Sequence, residues 1–112
     1  MAKKPATQRV WLSYDLGLKG DYEGLYAWLA NHGAKECGDN VATFLLEDAR
    51  NVEQSMVMTE LLKHVQLGQR DRIYLIWYDE VSKKIRGKFL AGGRKPARWA
   101  GYGEFGGNGE DE

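Results

Sequence analysis

The sequence predicts an α+β domain: one antiparallel-dominated sheet with two helices on one face, ordered strand, helix, two strands, helix, strand, with an extra strand at the end. Three observations lead there. Two stretches repeat apolar residues at three and four, the helical period, and each runs out at a glycine. The segments between them are short and rich in β-branched and aromatic residues. A chain of 112 residues, 43% hydrophobic and 29% charged, is long enough for one buried core and too short for two.

The first element begins after a polar lead-in, residues 1–8, that shows no period and reads as flexible. From Arg9 to Leu16 the chain alternates, Val10, Leu12 and Tyr14 against Trp11, Ser13 and Asp15, as a strand with one buried face does. Gly17 and Gly20 break that pattern. Asp21 is placed to cap a helix whose apolar positions are Tyr22, Leu25, Tyr26 and Leu29, and His32-Gly33 supplies a left-handed stop. Gly38-Asp39-Asn40 marks a turn, so Ala34 to Glu47 reads as a hairpin whose longer arm holds Val41 to Leu46.

Asn51 and Gln54 have the spacing of a capping box, and Val52, Met56, Met58, Leu61, Leu62 and Val65 trace the second helix up to Gly68. Ile73 to Tyr78 is almost wholly apolar, the composition of a strand covered on both faces, central in the sheet or buried by a partner. After the polar turn Asp79 to Ser82, Lys84 to Leu90 forms a fifth strand. Ile85 and Phe89 lie on one side of it, and Lys84, Arg86 and Lys88 on a wet, basic other side. The domain therefore spans residues 9–91, followed by a Gly-rich tail, 92–112, first basic and then acidic, whose end from Gly106 reads as disordered. Two right-handed crossovers fold this order into a ferredoxin-like βαββαβ sheet with an added strand.

Charge and cysteine content exclude several classes. Sixteen basic and sixteen acidic residues cancel, so no whole-chain field draws the protein to nucleic acid or membrane. One cysteine, Cys37, makes no internal disulfide, and the Met-Ala-Lys-Lys start lacks a secretory core, so the expected compartment is the cytoplasm. No apolar run reaches the roughly 20 residues of a membrane span.

Tyr14-Asp15 at a strand end, His32-Gly33 at a helix end, the hairpin strand Val41 to Phe44, and Asp71-Arg72-Ile73-Tyr74 opening a later strand together resemble a known pattern. It is that of the small ferredoxin-like subunit of the CRISPR adaptation machinery, partner of the spacer integrase, with its virulence-associated protein D relatives. The likeness spans about Arg9 to Leu90. It implies a homodimer whose sheets pack together, with the fifth strand pairing across the subunits. Some members are metal-dependent nucleases, and others are non-catalytic scaffolds. Carried over to this chain, the resemblance makes Asp15 the catalytic and metal-binding residue, facing its twin across the dyad with a magnesium or manganese ion between them. The arginines that often follow that aspartate in the family are replaced by Leu16-Gly17-Leu18-Lys19-Gly20-Asp21.

Read as chemistry, Asp15 has two roles open to it. A carboxylate exposed at a strand end can ligate a hard cation, or it can simply cap the following turn. The second candidate site is cationic. Between Lys83 and Arg98 stand Lys83, Lys84, Arg86, Lys88, Arg94, Lys95 and Arg98 with no acid, and Phe89, Trp99 and Tyr102 lie in or beside the run. Such a stretch neutralises phosphates while aromatic faces stack bases, making Lys84, Arg86, Lys88, Arg94, Lys95, Arg98 and Trp99 the nucleic-acid-binding set for DNA or RNA. The plain alternative is a solvated strand face followed by a flexible arm.

Gly101 to Gly106 spells GxGxxG, but without a strand before and a helix after it the motif carries no nucleotide reading. His32 and His64 sit at helix ends, and with one cysteine they make no zinc spacing. Cys37 reads as a packing residue, and Trp11, Trp28 and Trp77 as core or interface residues. The leading expectation is a homodimeric nucleic-acid-binding protein. Its rival is a non-enzymatic interaction module, adaptor or antitoxin-like, that offers its last strand to a protein partner.

Overall fold

The computed structural model describes residues 7–47 and 56–103. Its elements are β1 (Thr7–Asp15), α1 (Tyr22–Asn31), β2 (Lys35–Gly38), β3 (Val41–Glu47), α2 (Met56–His64), β4 (Arg72–Asp79) and β5 (Lys84–Ala91). The strands form one fully antiparallel five-stranded sheet in the order β2-β3-β1-β4-β5. β1 begins two residues before the alternation suggests, because Thr7 and Gln8 find partners in Glu47 and Leu46 on β3.

Alternation along the strands sorts the sheet into two faces. On one, Val10, Leu12 and Tyr14 of β1, Ala42, Phe44 and Leu46 of β3, and Ile73, Leu75 and Trp77 of β4 are buried. Leu25, Trp28 and Leu29 of α1 and Leu61 of α2, with Val65 just beyond it, complete the same cluster, so both helices cover this face. Each Val, Leu, Ile or Phe among them, taken from water to full burial, contributes about 1.5–3 kcal/mol before the loss of side-chain entropy. Along α1, Trp28 takes the core position expected of Tyr26. At 100° per residue Trp28 shares a stripe with Leu25 and Leu29, while Tyr26 falls to the flank, half exposed, against Tyr14 and Tyr22.

The helix ends follow the sequence. Asp21 Oδ1 accepts from the Gly24 amide at 2.9 Å, and Oδ2 from the Gln66 amide at 3.0 Å, so one cap also ties α1 to the segment leaving α2. Gly33 has φ 68°, and the Ala34 amide reaches back to the Leu29 carbonyl at 3.0 Å, which closes α1. His32 stacks on Trp28 with ring centroids 3.9 Å apart and lies 3.6 Å from Glu60 of α2. The capping box at Asn51 and Gln54, Val52, and the tail from Gly106 lie outside the described residues, as do the side chains of Met56 and Met58. Leu62 is partly exposed, off the α2 core stripe.

β4 is central, as expected. Among the described residues its second face, Arg72, Tyr74, Ile76 and Tyr78, carries no helix and is half buried. Trp28 and Trp77 are core residues, Trp11 is half buried on the open face, and Cys37 is exposed on β2 rather than packed. Among the described residues, no helix is long and apolar enough to cross a membrane.

Candidate functional site

The Tyr14-Asp15 dipeptide divides between the two faces. Tyr14 points into the core, where burial first, and then neighbouring groups led by Tyr26, raise its hydroxyl pKa above the usual 10.0. It stays protonated at neutral pH and supplies no base. Asp15 points to the open face and is exposed. Cross-strand pairing sets it opposite Arg72, whose Nη2 lies 3.1 Å from Asp15 Oδ2. Arg72 Nε is buried with no hydrogen-bond partner among the described residues.

Asp15 and Arg72 line a shallow depression of about 210 Å³ with Ser13, Tyr74 and Phe89, contributed by the adjoining strands β1, β4 and β5. Register builds it: Ser13 pairs with Tyr74 and Tyr74 with Phe89, so three side chains form one row beside the Asp15–Arg72 row. The Tyr74 and Phe89 rings have centroids 4.7 Å apart and are tilted by 60°. Gly87 makes this possible, because a Cβ there would run into the Tyr74 ring and hydroxyl. The ring therefore lies across bare β5 backbone. Asp15 stands out in the sequence as a strand-end carboxylate, whereas Arg72, 57 positions later, and Tyr74 and Phe89 join it and Ser13 only through strand pairing.

Among the described residues, Asp15 is the only carboxylate lining the depression, and the Arg72 guanidinium already pairs with it. No group of three or more His, Cys, Asp or Glu side chains among the described residues is disposed to hold a metal.

The cationic set lies along the rim. Among the described residues β5 is an edge strand paired only with β4, and Lys84, Arg86 and Lys88 alternate with Ile85, Gly87 and Phe89 along it. All three cations are exposed, but on the side opposite the depression, so Phe89 and the lysines do not share a face. Arg86 is partly neutralised by Asp79, 3.5 Å away. That carboxylate also accepts from Ser82 Oγ and the Val81 amide, and the Ser82 hydroxyl is the main reason its pKa lies below the usual value. Arg94, Lys95 and Arg98 follow in the exposed segment after β5, and Trp99 there is 75% exposed in a turn closed by Ala100 and Tyr102 amides.

A third feature lies at the end of the sheet. The loop after β1 and the loop after α2 border an open cleft of about 510 Å³ lined by Gly17 to Gly20 and Gln66 to Asp71. Asp71, 4% exposed, joins them: Oδ1 accepts from the Gly17 amide at 2.6 Å and Oδ2 from the Gly68 amide at 2.7 Å.

Comparison with known proteins adds no relative: no protein-family model matches the chain, and no curated protein or solved structure does.

Proposed function

We propose that this protein binds nucleic acid, DNA or RNA, through the cationic rim of β5 and the arm that follows it. It acts as a homodimer of ferredoxin-like subunits in the cytoplasm, of the CRISPR-adaptation-subunit type. The observation that carries this reading is the acid-free run from Lys83 to Arg98, which leaves Lys84, Arg86 and Lys88 exposed on one side of an edge strand and continues into Arg94, Lys95, Arg98 and exposed Trp99. Phosphates meet the cations and release counterions, and Trp99 offers a stacking face. The order β2-β3-β1-β4, with a helix between β1 and β2 and another between β3 and β4, supports the ferredoxin-like assignment. The outer edge of β5, unpaired among the described residues, supports dimerisation by strand pairing.

The test is a mobility-shift titration with single- and double-stranded DNA and RNA across a salt series, repeated with Arg86, Lys88, Arg94 and Lys95 replaced by Ala. Binding at low salt is expected, and the fourfold variant lowers the log–log salt slope by about 0.7–0.9 per lost phosphate contact. No binding at low salt defeats the proposal. Light scattering tests the dimer.

Two other readings have their own support. β5 exposes eight residues of strand edge, which suits a protein partner that adds a strand, the non-enzymatic adaptor reading. A metal-dependent nuclease needs two copies packed face to face so that two Asp15 carboxylates share magnesium or manganese. Cleavage that survives Asp15→Asn removes it.

A further inference from the structure

The cations of β5 face the helix side of the sheet. Arg86 pairs with Trp77 and Lys88 with Leu75, both core residues, so Lys84, Arg86 and Lys88 share that face, yet at the sheet edge all three stay exposed. Two copies packed through their helix-free faces, or joined along β5, leave this side uncovered. Alternate residues of an antiparallel strand stand about 6.8 Å apart, a spacing that suits successive phosphates of an extended nucleic-acid backbone.

The row has a direction. Asp79 pairs with Lys84 at one end and Ile73 with Ala91 at the other, so the row runs from the β4–β5 turn towards the start of β4, where the open cleft lies. Gly92, with φ 74°, makes the approach close: a Cβ there would run into the Asp71 carbonyl and Arg72. β5, and the arm with Arg94 and Lys95, therefore leave the sheet beside a residue of the cleft wall.

Two further cations, remote in sequence from the basic run, line that cleft: Lys19 and Arg70. Neither has a carboxylate partner among the described residues. Asp71, the acid in the lining, is 4% exposed and gives both oxygens to the Gly17 and Gly68 amides. Asp21 nearby likewise accepts from the Gly24 and Gln66 amides. Leu18, fully exposed, and Leu67, partly buried, add apolar surface. The opening, about 510 Å³, is in the range that takes one small ligand.

We infer that the cleft holds the phosphorylated end of a nucleic-acid strand. Lys19 and Arg70 meet the terminal phosphate, the last nucleoside covers Leu18 and Leu67, and the strand leads away along Lys88, Arg86 and Lys84. The inference rests on the nucleic-acid reading above and adds to it a site and a preference. Charge complementarity selects an end over an interior position: a phosphate monoester carries about −1.5 to −2 at neutral pH, against a single charge for each linkage within a strand.

The test is fluorescence anisotropy of the full chain with one short, internally labelled single strand in three forms: 5′-phosphorylated, 3′-phosphorylated, and hydroxyl at both ends. At low salt one phosphorylated form should bind about 2- to 30-fold more tightly than the hydroxyl form, the range of two exposed charge contacts. Lys19→Gln with Arg70→Gln should erase that difference and leave the hydroxyl form unchanged; both positions are exposed, so the fold tolerates the change. The fourfold β5 and arm variant should weaken all three forms and keep their ratio.

Nitrogen–proton correlation spectra of the wild-type chain need no variant. The preferred form should shift the amides of residues 17–20 and 66–71, whereas the hydroxyl form should shift only those of the basic run. Equal binding of all three forms overturns the end site and leaves the β5 reading standing. Failure of every strand to bind overturns both. Adenosine 5′-monophosphate separates the two sources of a phosphate monoester. Weaker binding than the phosphorylated strand's supports the shared track, whereas equal affinity at the same amides makes the cleft a free-nucleotide site and overturns the strand end.

Discussion

Asp71→Ala tests how the two loops at the end of the sheet are held. The wild-type carboxylate is buried and receives two backbone amides, Gly17 at 2.6 Å and Gly68 at 2.7 Å, from loops 54 and 3 residues away in the chain. A hydrogen bond to a charged group contributes about 1.5–3 kcal/mol, so losing both would cost about 3–6 kcal/mol if the amides stayed dry. Gly68 is exposed and recovers its bond from water, whereas Gly17 is only partly accessible. The net expectation is therefore about 2–4 kcal/mol, a large share of the roughly 5–15 kcal/mol a small domain has. Asp71→Asn keeps the shape and one acceptor oxygen, so it should lose about half as much. Urea titrations followed by tryptophan fluorescence measure both, because Trp28 and Trp77 are buried and report global unfolding. A cost below about 0.5 kcal/mol for Asp71→Ala, on the scale of an ordinary surface change, would refute the argument that this residue clasps the loops.

Two further predictions concern packing and pH. Gly87→Val places a side chain where the Tyr74 ring lies, so Tyr74 must leave Phe89; a loss of about 1–3 kcal/mol in the same urea titration checks it. Asp21 is held below its usual pKa of 3.8 by the Gln66 and Gly24 amides, the Gln66 amide contributing more. A carboxyl with a depressed folded pKa stabilises above its unfolded value and loses that contribution as pH falls through the folded one. The melting temperature should therefore drop on the acid side of 3.8, and less steeply in Asp21→Asn, whose neutral amide keeps an acceptor oxygen; equal acid slopes in the two proteins contradict the assignment.

What the sequence revealed and what it withheld divide by range. The β1 alternation, the Asp21 cap and the His32-Gly33 stop are local, set by a few neighbouring residues, and each is seen in the fold. Tyr26 and Trp28 are both aromatic and two positions apart, and it is Trp28 that shares the buried stripe of Leu25 and Leu29. The apolar run of β4 has the same composition whether its second face meets a helix, another subunit or open water. Asp71 was visible only as the first letter of a strand-opening motif, and its role depends on a glycine amide 54 positions earlier. The Asp15–Arg72 pair is 57 positions apart, and the depression exists only through strand register. Local chemistry was readable. The meeting of distant strands was not.

The order of the sheet has a consequence for how the chain reaches it. β2–β3 and β4–β5 are hairpins whose partners are neighbours in sequence and can pair within microseconds. β1 lies between them, joined on one side to residues up to 40 positions later and on the other to residues up to 67 positions later, as Thr7 with Glu47 and Val10 with Trp77 show. β1, made before the other four strands of the sheet, is thus the last that can find both of its neighbours. Until it does, the two hairpins are separate pieces with exposed inner edges, and the closure entropy of two long loops falls on a single docking event.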